Sequence, residues 1–204
     1  MITIIDYGLG NIRAFLNVYE RLKMNVKTAH SPSDIHGASK IILPGVGAFD
    51  YAMTQFNNSG MRDEVENQVF NNKIPIVGIC VGMQMMARSS DEGKLPGLGW
   101  IDGDVRLFNP DLIKFKTRLP HMGWNTIIKK KENNLFLNLE SDSRFYFLHS
   151  YYFVCNNEED ALCETEYGVK YASAVNKNNI FGVQFHPEKS HSNGVQLLQN
   201  FAKL

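Results

Sequence analysis

The 204-residue sequence is poor in cysteine. Its three cysteines, Cys80, Cys155 and Cys163, form no CxxC pair and have no metal-ligand spacing with histidine. An odd number of thiols cannot all pair within one chain, so the sequence favours a reducing, cytoplasmic compartment. The scattered spacing also predicts no metal site.

An excess of charge of either sign is absent as well, because 21 basic side chains balance 21 acidic ones. Nucleic-acid and membrane surfaces usually need a basic excess, so the composition argues against both kinds of partner. No apolar run approaches the ~20 residues of a membrane span. The first six residues lack the basic region and cleavage site of a signal peptide. The length fits a single domain over residues 1–204.

Short apolar runs alternate with helical patterns in the first half of the chain. The β-branched run 2–5 precedes a stretch with helical apolar spacing from Ile12 to Leu22, and runs 40–43 and 74–80 are further buried strands. Helical stretches are predicted at 62–71 and 81–88. This order predicts an α/β fold with three layers, α/β/α, around a mostly parallel central sheet. Ligands of such sheets bind beyond the carboxyl ends of the strands.

The second half of the chain has a different pattern. Residues 145–154, 171–175 and 180–185 read as strands joined by short polar turns, which indicates antiparallel additions to the sheet. Residues 194–201 are predicted to form a closing helix.

Cys80 lies between a predicted buried strand and a predicted helix, with Gly78 and Gly82 two residues to either side. These glycines permit a sharp turn and the close approach of a substrate, as in the G-x-S-x-G elbow of serine hydrolases. A helix N-terminus favours the nucleophilic thiolate. The alternative is a buried core cysteine, which is the commoner fate of a lone free thiol.

His186 and Glu188 form the second candidate pair. Proline at 187 holds His186 extended, and residues i and i+2 of an extended chain project to the same side. Glu188 is therefore predicted to bind one imidazole nitrogen and to leave the other free as a base. A surface histidine with an incidental glutamate is the alternative, and the candidate nucleophile at Cys80 argues against it.

A glycine-rich turn follows the predicted strand 40–43. Its backbone N–H groups, with that of Val81, are candidates for an oxyanion hole, in which one donor contributes about 2.7–4 kcal/mol in the transition state. Taken alone, Pro44 to Gly47 reads more readily as a simple turn than as part of an oxyanion hole.

These features together resemble the class I (triad) glutamine amidotransferases over essentially the whole chain, and most closely the glutaminase subunits of imidazole glycerol phosphate synthase. The segments that carry the resemblance are Asp6 to Asn11, Leu43 to Phe49, Gly78 to Gln84, Pro120 to Asn125, His149 to Tyr152 and Phe185 to Ser190.

The resemblance implies a role for several residues. Cys80 would be the nucleophile, His186 the general base and Glu188 its orienter, with no metal or organic cofactor. The residues implied at the oxyanion hole are Val46, Gly47 and Val81, and those implied to hold glutamine are Gln84, Ser150 and Tyr151. Gln84 follows Cys80 by about one helical turn, so it would face the same pocket. It could also be a solvated helix residue, and Ser150 and Tyr151 could be structural strand residues.

The resemblance also implies a partner, a (β/α)8-barrel cyclase that receives the ammonia in histidine biosynthesis. Asn11, Met122 and Trp124 would lie at the interface, where methionine and aromatic side chains are enriched. Met122 and Trp124 could instead fill the core.

Two other functions stay open from the sequence. Val81 and the run 190–192 depart from the commoner family residues, which is compatible with a paralogue that supplies ammonia for an amidated surface sugar. An inactive scaffold on the same fold is the alternative of another class, and the complete set of Cys80, His186 and Glu188 argues against it.

Overall fold

The computed structural model describes residues 1–204 and contains a large mixed sheet flanked by helices. Its strands are β1 (Ile2–Ile5), β2 (Val26–Ala29), β3 (Lys40–Gly45), β4 (Ile76–Cys80), β5 (Ser89–Ser90), β6 (Gly103–Leu107), β7 (His121–Thr126), β8 (Ile128–Lys129), β9 (Arg144–His149), β10 (Tyr151–Cys155), β11 (Ala161–Tyr167), β12 (Val169–Lys177) and β13 (Ile180–Val183). Its α-helices are α1 (Ile12–Arg21), α2 (Pro32–Ile35), α3 (Phe49–Asn58), α4 (Arg62–Glu66), α5 (Val81–Gln84) and α6 (His191–Lys203). A π-helical segment, Asn67–Asn71, continues α4, and short 3-10 helices span Pro110–Leu112, Asn134–Phe136, Glu158–Asp160 and Pro187–Lys189.

Parallel strands form one half of the large sheet, in the order β2-β1-β3-β4-β13. Every residue of β1, β4 and β13 is buried, as the continuous apolar runs predict for strands covered on both faces. The chain moves across the sheet in one direction from β1 to β2 and in the other direction from β3 to β4. Right-handed crossovers therefore place α1 on one face of the sheet and α3 and α4 on the opposite face. In agreement, α1 packs on α6 while α4 packs on α2. The predicted three-layer, mostly parallel architecture is confirmed.

The other half is mostly antiparallel, as predicted, although β5 and β6 pair in parallel. Two segments differ from the expectation. The segment expected among the antiparallel additions at 180–185 pairs in parallel with β4 and antiparallel with β12, so β13 joins the two halves. The single strand expected at 145–154 is two strands with a break at Ser150: β9 pairs with β7 in a separate two-stranded sheet, and β10 pairs with β6 and β12.

The helix expected at 81–88 has one turn only, α5. The backbone after it bonds to the segment 97–101 instead, with Leu98 N–H donating to Met85 at 2.7 Å and Ile101 N–H donating to Met86 at 3.0 Å. These carbonyls would accept from the next helical turn if the helix continued. Tertiary hydrogen bonds therefore end this helix early despite its favourable local sequence.

The hydrophobic core is one cluster of 57 buried residues from both halves of the sheet and from the helices. All three cysteines are free thiols. No helix is long and apolar enough to cross a membrane.

Candidate active site

Cys80 ends β4 in a strained backbone conformation, with φ 54° and ψ −111°. A non-glycine residue in this region costs about 1–3 kcal/mol, and such residues cluster at functional sites. The next residue, Val81, starts α5, so the cysteine occupies a sharp strand-to-helix turn, as the sequence predicts.

The glycines beside Cys80 permit the close packing of neighbouring backbone. A Cβ on Gly78 would lie 2.6 Å from the carbonyl oxygen of Gly82, and a Cβ on Gly82 would lie 2.0 Å from that of Leu43. A Cβ on Gly45 would lie 2.4 Å from the Gly82 nitrogen. The strand-to-helix turn at Cys80 therefore packs closely against the end of β3. A side chain at Gly45 or Gly82 would push the turn away from β3, and one at Gly78 would push the start of α5 away from β4.

His186 and Glu188 are in direct contact, with 2.9 Å between Nδ1 and Oε1 and side chains only 4% and 2% exposed. The contact is confirmed, but its geometry differs from the expected extended chain. His186 is extended, whereas Glu188 belongs to the 3-10 helix that starts at Pro187. The helical turn, rather than alternation along a strand, brings the carboxylate back to the ring.

Burial opposes the protonation of His186, yet its pKa is raised. The side-chain hydrogen bonds that join the ring to Cys80 and to Glu188 outweigh the desolvation and raise the pKa to about 10. The imidazolium is thus the stable form at neutral pH. This arrangement has the parts of a nucleophile, base and orienting acid.

Ser190 holds the histidine turn in place and was missed by sequence reasoning. Its hydroxyl donates to the main-chain carbonyl of His186 at 2.6 Å and accepts from Tyr146 N–H at 3.0 Å. The His186 N–H donates in turn to the Tyr146 carbonyl at 2.9 Å. Ser190 directly precedes α6 but its side chain does not cap that helix, so a capping pattern in the sequence would not have identified this role.

A cleft of about 290 Å³ brings together eight of the predicted catalytic, oxyanion and glutamine-binding residues. These are Val46, Gly47, Cys80, Val81, Gln84, Ser150, Tyr151 and His186. Strand order explains the convergence, because β4 lies between β3 and β13 and the carboxyl ends of all three meet at one edge of the sheet.

Gln84 lines this cleft, but its amide nitrogen already donates hydrogen bonds to other residues of the protein. Nε2 donates to the main-chain carbonyl of Tyr151 and to Oε1 of Gln184, both at 3.0 Å. The carbonyl oxygen of Gln84 therefore remains as its free polar atom in the cleft. The alternative of a solvated helix residue is wrong, since Gln84 is buried.

Glu92 lines the same cleft and was also missed. Its Oε2 accepts from the Phe49 N–H at 2.9 Å. Burial raises the pKa of Glu92 above its usual range, although that backbone hydrogen bond opposes the rise. An acidic residue in the loop after α5 was a usable signal, because the glutamine that the family resemblance implies carries an ammonium group.

The predicted interface residues are exposed. Met122 and Trp124 lie on β7 with 59% and 38% of their surface exposed, so the alternative that they fill the core is wrong. Trp124 stacks on His191 with 5.1 Å between ring centroids. Asn11 precedes α1, is exposed, and makes no capping hydrogen bond with its side chain.

The β7 surface adjoins the cleft through the strand that pairs with it. Met122 is opposite Leu148 of β9, and the Leu148 carbonyl lies 3.9 Å from the Cys80 sulfur. Pro120 lines both the cleft and a second concavity of about 380 Å³ that contains Met122 and Trp124. Only Leu148 and Pro120 thus separate the candidate nucleophile from the exposed surface that contains Met122 and Trp124.

Comparison with known proteins agrees with this geometry. The model of the family described as "Glutamine amidotransferase class-I" matches residues 3–204. The imidazole glycerol phosphate synthase subunit HisH of Bdellovibrio bacteriovorus is 53% identical over 206 residues, and that of Leptospira borgpetersenii is 50% identical over 204 residues; each match covers 100% of both chains. The solved structure of PurLQS from Thermotoga maritima shares the fold, with a TM-score of 0.74 at 17% identity over 99% of this chain and 97% of that one. The chain therefore belongs to the class I glutamine amidotransferase family, in which these full-length relatives are HisH subunits.

Proposed function

We propose that this chain is the glutaminase subunit of an imidazole glycerol phosphate synthase and releases ammonia from glutamine. The observation that carries the proposal is the convergence of a strained cysteine turn with a buried His186–Glu188 pair at one cleft. The full-length identity to proteins named HisH supports the same function.

Cys80 and His186 carry the chemistry. The Cys80 sulfur attacks the side-chain amide carbon of glutamine, and the backbone N–H groups around Val46, Gly47 and Val81 stabilise the tetrahedral oxyanion. The C–N bond then breaks, and protonated His186 gives its proton to the departing ammonia. Water, deprotonated by His186, attacks the thioester, and the C–S bond breaks to release glutamate and restore the thiolate–imidazolium pair.

The remaining cleft residues suit the amino-acid end of glutamine. The Glu92 carboxylate provides a negative group for the substrate ammonium, and the free carbonyl oxygen of Gln84 provides a second acceptor. Ser150 and Tyr151 line the same cleft. Glu188 holds the His186 ring so that Nε2 faces the reaction.

The partner is a (β/α)8-barrel cyclase that docks over Asn11, Met122 and Trp124. Ammonia released into water at neutral pH is mostly protonated and lost as a nucleophile, so its use requires a covered path to an acceptor. The exposed Met122 and Trp124 beside the cleft support docking there, because aromatic and methionine side chains are enriched in the cores of interfaces.

The histidine pathway is favoured over the surface-sugar alternative by the names of the relatives. The three free thiols support action in a reducing, cytoplasmic compartment.

The test is to mix the purified chain with the cyclase subunit of the same organism and to measure glutamate release from glutamine. The assay is run with and without the nucleotide substrate of the cyclase, with Cys80→Ala as the blank. A strong, cyclase-dependent rise is expected. A folded wild-type chain that gives no response, although Cys80 still reacts with a glutamine-like electrophile, would overturn the histidine-pathway assignment and favour the surface-sugar function.

A further inference from the structure

We propose that Gln184 is a further catalytic residue, whose amide donates a hydrogen bond to the Cys80 sulfur and at the same time fixes the orientation of Gln84. This inference rests on the proposed glutaminase function. The Gln184 side chain is completely buried, with Nε2 at 3.7 Å from the Cys80 sulfur.

Strand pairing places Gln184 next to the nucleophile. Val183 of β13 is level with Ile79 of β4, and the next residues along the two chains are Gln184 and Cys80. Phe185 points the other way, where its ring packs 4.1 Å from that of Phe145. Because side chains alternate along an extended chain, Gln184 and His186 share the face towards the cleft.

The main chain determines which end of the Gln184 amide meets the sulfur. A carbonyl oxygen only accepts hydrogen bonds, so the Gln84 atom at 3.0 Å from the Tyr151 carbonyl is the donor Nε2. The same Nε2 lies 3.0 Å from Gln184, whose facing atom must then be the acceptor Oε1. The donor Nε2 of Gln184 is thereby directed to the sulfur of Cys80.

A second contact holds the Gln184 backbone in register. Its N–H donates to the Ser173 carbonyl at 2.9 Å. The buried amide is thus held by β12 through its main chain and by Gln84 through its side chain. A buried amide is costly unless its polar atoms are hydrogen-bonded, so an apolar residue would be the simpler choice here if the site needed only packing.

An N–H donor at this position acts on the charged sulfur. It stabilises the Cys80 thiolate before attack on glutamine and loses most of that interaction in the thioester, where the sulfur carries no charge. In the second half-reaction the C–S bond breaks and its electron pair returns to the sulfur, so the donor stabilises the leaving thiolate. Gln184 therefore favours a reactive thiolate at the start and its departure at the end.

The test compares wild type with Gln184→Met, which keeps similar bulk and removes the donor. Iodoacetamide alkylation of Cys80 is measured against pH by mass spectrometry of the Cys80 peptide, and kcat and KM for glutamine are measured with the cyclase present. Burial raises the pKa of Cys155 and Cys163 to about 12, so these thiols compete little. Hydrogen bonds to charged groups are strong enough to move the alkylation midpoint upward by about one pH unit and to lower kcat about tenfold or more.

A matched control separates this role from a structural one. Thr165→Val removes a buried hydroxyl that bonds the Ser173 hydroxyl at 2.8 Å and the Thr126 carbonyl at 3.1 Å, and neither partner lines the cleft. It is expected to lower the unfolding temperature and to leave the alkylation midpoint unchanged. If Gln184→Met does not fold, Gln184→Glu replaces it, and its second oxygen is expected to move the midpoint upward as well.

A Gln184 variant with the wild-type midpoint and wild-type kcat would overturn the inference. A different result would contradict the proposed function, namely a wild-type chain that releases no glutamate with the cyclase. The alkylation midpoint reports on Gln184 in either case.

Discussion

Nδ1 of His149 lies 2.7 Å from the main-chain carbonyl oxygen of Tyr151. Because that oxygen only accepts, Nδ1 carries the proton and Nε2 accepts, here from the Tyr171 hydroxyl at 3.1 Å. The same carbonyl accepts from Gln84, so one main-chain atom joins the cleft to a buried cluster of His121, His149 and Tyr171. The cluster keeps both histidines neutral, because burial lowers the pKa of His121 to about 4 and of His149 to about 3.

Acid is therefore expected to destabilise the protein through these two histidines. Their folded-state pKa values lie below the unfolded value of about 6.5, so the unfolded chain binds more protons as the pH falls from 6.5 towards 4. Each histidine then contributes a loss of about 1.4 kcal/mol per pH unit in this range. Urea unfolding at several pH values measures the slope. His121→Phe retains an aromatic ring between Phe147 and Tyr167 and is expected to have a shallower slope.

His186 is expected to have the opposite effect at alkaline pH. Its pKa is raised to about 10 in the folded protein, so its contribution to stability is complete below about 6.5 and is lost as the pH rises through 10. Glu188→Gln removes one of the groups that raise this pKa and should make stability fall at lower pH. Thermal unfolding between pH 7 and 10 checks the sign; a Glu188→Gln profile identical to wild type would contradict the coupling.

Cys80→Ala is expected to abolish glutamate release without unfolding the chain, because the thiol lines the cleft and its loss leaves the surrounding packing in place. Cys80→Gly should be equally inactive but more stable than Cys80→Ala, by about 1 kcal/mol, since glycine adopts φ 54° without steric strain. Chemical denaturation of the two variants measures the difference. Equal stability would show that the turn stores no strain.

Trp124→Ala is expected to weaken binding of the cyclase by about 2 kcal/mol, or roughly 30-fold in Kd, if this side chain anchors the interface. Met122→Ala should have a smaller effect in the same direction. Ile128→Ala is the control, because Ile128 is 52% exposed on β8, outside the concavity that contains Met122 and Trp124. Calorimetric titration measures all three, and wild-type affinity in Trp124→Ala would place the docking surface elsewhere.

Local pattern was enough to predict β1, β3, β4 and the helices that follow β1 and precede β4. Their apolar runs and helical spacing need no distant partner to be recognised. The candidate residues Cys80 and His186 were also recognisable, because a cysteine between a strand and a helix and a histidine before proline have characteristic neighbours. The length of α5 was not predictable, since its end depends on hydrogen bonds from residues 97–101.

The sequence by itself determined which residue types are available for the chemistry: a cysteine at a strand end, a histidine with a carboxylate two residues later, and a glycine-rich turn. Only the tertiary structure decided that β13 lies in parallel beside β4, which brings His186 and Gln184 to Cys80 across more than a hundred residues of chain. It also decided which backbone atoms pack against Gly78 and Gly82. The physical reason is that strand adjacency and backbone contact depend on the packing of distant segments, whereas strand and turn propensity depend on neighbours in the chain.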